Sequence, residues 1–222
     1  MTLAQHFATD MASPITILPP LPDRDSAREA HHRIANSLQL LSAMVSIEAR
    51  RIADPAAIAA LDMTMRRINA IAGVQRMLYL SSDAATVDLG IYLKDLGAQL
   101  EQGCADASAG RHVRVTAQRI EVPAEDATAL GVIVSELVGN ACKYAYPADA
   151  PGDVRVALRA LPLGGYVLEV SDRGRGIVPD TDPQGSGLGS RLIAMMAQRL
   201  GGHPIWRDAK PGTHFELYVG KC

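Results

Sequence analysis

Between Ser26 and Leu80 apolar residues recur with a helical rhythm on both sides of one strong break, Asp54-Pro55. Ile34, Leu38, Leu41 and Val45 follow one another at intervals of four, three and four, and Ile58, Leu61, Met65, Ile68 and Ile71 keep a similar beat beyond the break. Such spacing gathers each set on one side of an α-helix. Asp25 or Ser26 can cap the first helix, which runs to about Ile52; Pro55 opens the second, which ends near Leu80. Two amphipathic helices cover each other's stripes poorly. The pattern therefore predicts a helical hairpin that pairs with a second copy of the chain as a four-helix bundle, the alternative being that it packs on the rest of its own chain.

The remainder has room for a second unit. With 222 residues, 48% of them hydrophobic, the chain can bury a sizeable core. A net charge of −2 without a run of like charge gives no sign of a nucleic-acid or anionic-membrane partner. Residues 1–23 hold no Lys or Arg and no long apolar core, against a secretory signal. No stretch reaches the roughly 18 apolar residues of a membrane span, so a soluble, cytoplasmic protein is expected. Cys104, Cys142 and Cys222 are odd in number and widely spaced, which predicts reduced thiols rather than a disulfide framework or a zinc site.

Pro19, Pro20 and Pro22 close an N-terminal arm over residues 1–23; the hairpin follows over 24–82 and a mixed domain over 83–222. In the mixed domain the pattern predicts helices near 87–102, 124–146 and 190–200. Strands are expected at 112–118, 204–207 and 214–219, with a hairpin pairing 154–159 and 166–171. The expected fold class is α+β: the helical hairpin, then an α/β sandwich without regular βαβ alternation.

Two sets of residues carry chemistry. On the first helix, at about 100° per residue, His31 falls roughly 50° from the apolar stripe and His32 roughly 150° away. His32 faces solvent, as a nucleophilic imidazole must, with Glu29, Arg33, Asn36 and Gln39 close enough to orient it. The second set lies between Glu136 and Gly189. Glu136, Asn140 and Lys143 share one helix face, where an amide oxygen suits a hard cation, an ammonium a phosphate, and a carboxylate proton transfer or water orientation. Asp172-Arg173-Gly174-Arg175-Gly176 follows an apolar strand, and its carboxylate can accept from an adenine amino group. Gly185-Ser186-Gly187-Leu188-Gly189 opens a helix whose N–H groups suit polyphosphate. Each cluster alone is commonplace; their order along one chain is specific.

At these positions the chain resembles the sensor histidine kinases of two-component systems, in the subfamily whose phosphoacceptor box reads Glu-x-His-His-Arg-x-x-Asn-x-Leu-Gln. Here that box is Glu29 to Gln39, and Gly212-Thr213-His214-Phe215 looks like the family's closing Gly-Thr-x-Phe. The resemblance covers roughly residues 25 to 220. It implies a dimeric hairpin joined to an ATP-binding domain of the gyrase and histidine kinase type. His32 would be the phosphoacceptor with His31 as competitor, Glu136 the catalytic carboxylate, Asn140 the Mg²⁺ ligand, Lys143 a phosphate contact and Asp172 the adenine partner. Gly174, Gly176, Gly185, Gly187 and Gly189 would shape the nucleotide loops. The implied cofactors are ATP and Mg²⁺, and the implied partner is the receiver domain of a response regulator. The chain departs from the family's pattern at Ala35, where relatives usually have Lys, and at Gly139, where Thr is common.

Two other readings compete. One is a histidine phosphotransfer protein of the same architecture that relays phosphoryl groups without ATP; the intact Glu136, Asn140 and Asp172 count against it. The other is a serine kinase acting as an anti-sigma factor on the same nucleotide fold, which leaves His32 and the dimerising hairpin without a purpose.

Overall fold

The computed structural model describes residues 24–80, 85–104, 110–147, 150–176 and 187–220. The N-terminal arm of residues 1–23 and the glycine loop around Gly185 lie outside these residues. Two long helices come first, α1 (Arg24–Ala49) and α2 (Pro55–Leu80), antiparallel across a short turn where Asp54 Oδ1 accepts from the Ala56 N–H at 2.9 Å. After them run β1 (Thr86–Asp88), α3 (Leu89–Cys104), β2 (Arg111–Ala117), β3 (Glu121–Pro123) and α4 (Ala124–Asn140). A π-helical turn over Ala141–Ala145 continues α4 directly. The chain ends with β4 (Gly152–Ala160), β5 (Tyr166–Asp172), α5 (Leu188–Arg199), β6 (His203–Asp208) and β7 (Thr213–Val219).

The main sheet has the order β2-β4-β5-β7-β6; every neighbouring pair is antiparallel except β2 and β4, which run parallel. A parallel pair needs a crossover, and here α4 lies within the connection. Strand alternation decides the faces. Val154, Val156 and Leu158 of β4 point the same way as Leu168 and Val170 of β5 and Phe215 and Leu217 of β7, and all are buried. They meet the apolar sides of α3, α4 and α5, including Leu93, Leu96, Leu130, Ile133 and Ile193. The opposite face carries Arg155, Arg159, Glu169, Glu216 and Arg207, paired across strands as Arg159–Glu169 and Arg207–Glu216. This is the expected α+β architecture of hairpin and sandwich, with the small β1–β3 ribbon as an addition.

The hairpin is joined to the sandwich more closely than periodicity implies. Ala70, Val74 and Leu78 of α2 belong to the same buried cluster as α3 and α4, and the Tyr92 hydroxyl of α3 donates to the Ala70 carbonyl at 2.9 Å. Ala72 and Gly73 keep the α2 backbone close to this core, and Gly73 leaves room for the Tyr92 ring. α1 has no such support: it buries only the small residues Ala35 and Ala49, while Ile34, Leu40, Leu41, Met44 and Ile47 are 46–64% exposed.

One expectation is overturned. Cys104 and Cys142 form a disulfide, with Cα atoms 5.5 Å apart, a separation that suits such a bond. Their 38-residue separation gave no hint of it. The end of α3 and the turn after α4 become neighbours only when both helices pack on the sheet.

Candidate functional site

α1 presents the two histidines differently. The half-buried His31 has Nδ1 2.8 Å from Gln75 Oε1, so its ring N–H is spent on α2. His32 is exposed, with its ring 4.7 Å from that of Tyr79 and Nε2 accepting from the Asn36 amide at 3.4 Å. A ring nitrogen that accepts carries no proton, which is the state a nucleophile needs. Around it Glu29 pairs with Arg33 at 2.5 Å, and this partner holds the Glu29 carboxyl below its ordinary range. Arg28 lies over the Tyr79 ring, 5.6 Å from its centroid.

The second set gathers at the C-terminal end of α4. Glu136 is fully buried. Its Oε1 accepts from Arg67 Nε at 2.6 Å, whereas Oε2 has no hydrogen-bond partner among the described residues. That free oxygen points to the start of α5: a Cβ on Gly189 would lie 2.8 Å from it and 4.0 Å from Asn140 Nδ2. Only glycine fits there, and the space it leaves joins Glu136, Asn140 and the first turn of α5. Gly187, at the N-cap, has φ +65°.

Asp172 ends β5 almost buried, with Oδ1 accepting from the Gly174 N–H at 2.8 Å and the Thr213 N–H at 3.3 Å. Its position is thereby fixed from two strands. Gly174 passes so near the π-turn that a Cβ would sit 2.1 Å from the Ala145 carbonyl oxygen, to which the Arg175 N–H donates at 2.9 Å. Gly176 takes φ +75°. Gly189 thus lies against Glu136 and Asn140, and Gly174 brings the end of β5 against the turn that continues α4, whereas Gly176 lies near Gly212 and Asp208; Gly185 lies outside the described residues.

Lys143 is placed otherwise than its helical spacing suggests. The π-turn carries it toward α2, where Nζ donates to the Ala59 carbonyl at 3.0 Å. Burial, and next the charge of Arg66, hold its ammonium below the ordinary lysine value. At Gly139 a Cβ would meet Arg66 Nε at 3.1 Å and Met63 Cε at 3.3 Å, so α2 takes the space a larger residue would need. Arg66 and Arg67 are therefore neighbours of the site that sequence reading passed over. Their one signal is an adjacent cationic pair in a helix whose other residues are mostly apolar.

The two histidines do not lie beside the second set. His32 stands level with Tyr79, and Glu136 level with Arg67. The separation of twelve positions between Arg67 and Tyr79 on α2 spans about 18 Å at about 1.5 Å per residue.

With this geometry in view, the likenesses to known proteins fall on both halves. A histidine kinase family model matches residues 29–104, and a model for histidine kinase-, DNA gyrase B- and HSP90-like ATPases matches residues 125–221. Blue-light-activated histidine kinase 2 of Erythrobacter litoralis is 31% identical over 186 residues, covering 81% of this chain and 52% of the relative. The sensor histidine kinase PdtaS of Mycobacterium tuberculosis is 31% identical over 207 residues, covering 86% of this chain and 38% of the relative. The chain thus spans about half or less of the length of the curated relatives it matches. Among solved structures, the histidine kinase domain of the Erythrobacter litoralis EL346 blue-light activated histidine kinase superposes with a TM-score of 0.65. That match has 26% identity over 88% of this chain and 93% of that one.

Proposed function

The chain belongs to the histidine kinase family, and from that premise we propose that it transfers the γ-phosphoryl group of ATP to His32 and then to an aspartate of a response regulator receiver domain. The observation that carries this reading is the buried, half-satisfied Glu136. Oε1 is held by Arg67 while Oε2, beside Asn140 and the space above Gly189, has no hydrogen-bond partner among the described residues. A buried carboxylate oxygen without a donor costs free energy unless a ligand supplies one. A hard cation is such a ligand, and a carboxylate with a side-chain amide offers the kind of oxygen ligands that Mg²⁺ prefers. A relay protein that uses no ATP has no need of this arrangement.

Mg²⁺ would be held by Asn140, with Glu136 beside it, and bound there it would neutralise phosphate charge. The first turn of α5 faces the phosphates and Asp172 receives the adenine amino group. Glu136 orients the reacting groups or takes the proton that His32 loses. His32 attacks the γ-phosphorus through an imidazole nitrogen; the bond to the β-phosphate oxygen breaks and ADP leaves. Because the described conformation sets the two ends of the reaction about 18 Å apart along α2, they must approach before transfer. The acceptor is His32 of the same chain after domain movement, or His32 of a second copy. In either case Lys143 has to leave Ala59 to meet phosphate.

We read residues 24–82 as the dimerisation and phosphotransfer unit and 83–222 as the catalytic unit. The reaction places the domain on the cytoplasmic side, where ATP is; among the described residues no helix is long and apolar enough to cross a membrane. The exposed side of α1, from Ile34 to Ile47, is the surface for a second copy. Sedimentation at micromolar concentration should give twice the chain mass, falling to one chain mass in Leu41→Glu; a wild-type monomer would contradict the four-helix bundle.

Titration with Mg·ATP tests the nucleotide reading. Saturable binding is expected, weakened at least about tenfold in Gly174→Ala, where the new Cβ must displace the Ala145 carbonyl; a tenfold loss is about 1.4 kcal/mol. Absence of binding in the folded wild type would favour the relay.

A further inference from the structure

The disulfide ties down the turn that carries Lys143, beside the residues read as the nucleotide site. Cys142 follows Asn140 by two residues and precedes Lys143, and Cys104 is the last residue of α3. Both line a cavity of about 100 Å³ with Arg66, Lys143 and Asp62. Arg66 Nε, moreover, is buried with no hydrogen-bond partner among the described residues, so an anion in this cavity meets an uncompensated donor. Cys142 is the less buried of the two, and its carbonyl is anchored by Arg111 Nη1 at 2.6 Å.

We propose that Cys104 and Cys142 form a redox modification site whose substrate class is the small-molecule disulfide, and that their bond restrains Lys143 from the nucleotide. The Cys142 thiolate attacks one sulfur of the small disulfide, whose S–S bond breaks with release of one thiolate. Cys104, its proton lost to solvent, then attacks the Cys142 sulfur and displaces the second thiolate. The protein's two thiols are oxidised to one disulfide, and the small disulfide is reduced to two thiols. The bond ties the end of α3 to the π-turn, which in the described, oxidised form aims Lys143 at Ala59. Reduction leaves that turn held by Arg111 and free to carry Lys143 to phosphate. This last step rests on the reading of Lys143 as a phosphate contact.

The test uses the full chain carrying Cys222→Ser, equilibrated in glutathione and glutathione disulfide at several ratios. Alkylation and mass spectrometry should show two free thiols becoming none, with loss of two hydrogens and no retained glutathione; Cys104→Ser should instead retain one glutathione on Cys142. Mg·ATP affinity should be about tenfold weaker in the oxidised form, the worth of one charge-assisted hydrogen bond, with no redox dependence in the double variant Cys104→Ser/Cys142→Ser. Two thiols that persist at every ratio would overturn the site. Oxidation with equal affinity in both forms would overturn its coupling to Lys143. Absence of binding in both forms would overturn the nucleotide reading, and the coupling with it, while the thiol count would still decide the modification site.

Discussion

Replacing His32 with alanine is expected to reduce acid-labile phosphorylation from ATP by a thousandfold or more, to background, while Mg·ATP affinity stays unchanged. Loss of a nucleophile removes the reaction's only covalent partner, and single removals of that kind cost roughly 10³-fold or more. The side chain is exposed and bonded only loosely, to Asn36 at 3.4 Å, so the fold should be altered by no more than about 0.5 kcal/mol. His31→Ala is the informative companion. Its ring is committed to Gln75 on α2, and its loss should leave the label on His32 within a few-fold of wild type. Label that survives His32→Ala and vanishes in His31→Ala would exchange the two assignments.

The second large effect concerns stability. Arg67→Met should destabilise the protein by about 3 kcal/mol or more, because it leaves a fully buried carboxylate, Glu136, without its cation. For a chain of this size that corresponds to a fall in melting temperature of roughly 6–12 °C. Arg67→Met combined with Glu136→Gln should recover most of the loss, since removing both charges avoids the unpaired one. A single variant that melts with the wild type would show that water or a rearranged partner reaches Glu136 and that α2 is not fastened to α4 at this point.

These two expectations differ in how far the sequence alone leads to them. Helical spacing from Ile34 to Val45 and from Ile58 to Ile71, the alternation along β4 and β5, and glycines at 174, 176, 187 and 189 are local signals. The structure puts the corresponding elements where those signals place them. The three-residue strands β1 and β3 are too short for any alternation to register. The parallel pairing of β2 with β4 is a crossover and leaves no turn signature. Arg67 and the Cys104–Cys142 bond arise from helices meeting in three dimensions, across 69 and 38 residues of sequence. Lys143 shows the limit most plainly. Regular α-helical geometry carries it to the side of Asn140, whereas the π-turn rotates it to Ala59, and a π-turn has no reliable sequence mark. The angle argument on α1 separates the exposed His32 from the half-buried His31, although Ile34 and Leu41 of the stripe it starts from are themselves exposed.

The most direct measurement is to incubate the wild-type chain with Mg²⁺ and either γ-labelled or α-labelled ATP, then treat the product with acid and with base. Label from the γ position alone, lost in acid and retained in base, is the predicted result: a phosphohistidine formed from ATP. No label from either nucleotide, in protein whose His32 still accepts a phosphoryl group from a phosphorylated receiver domain, would contradict the kinase and leave a relay.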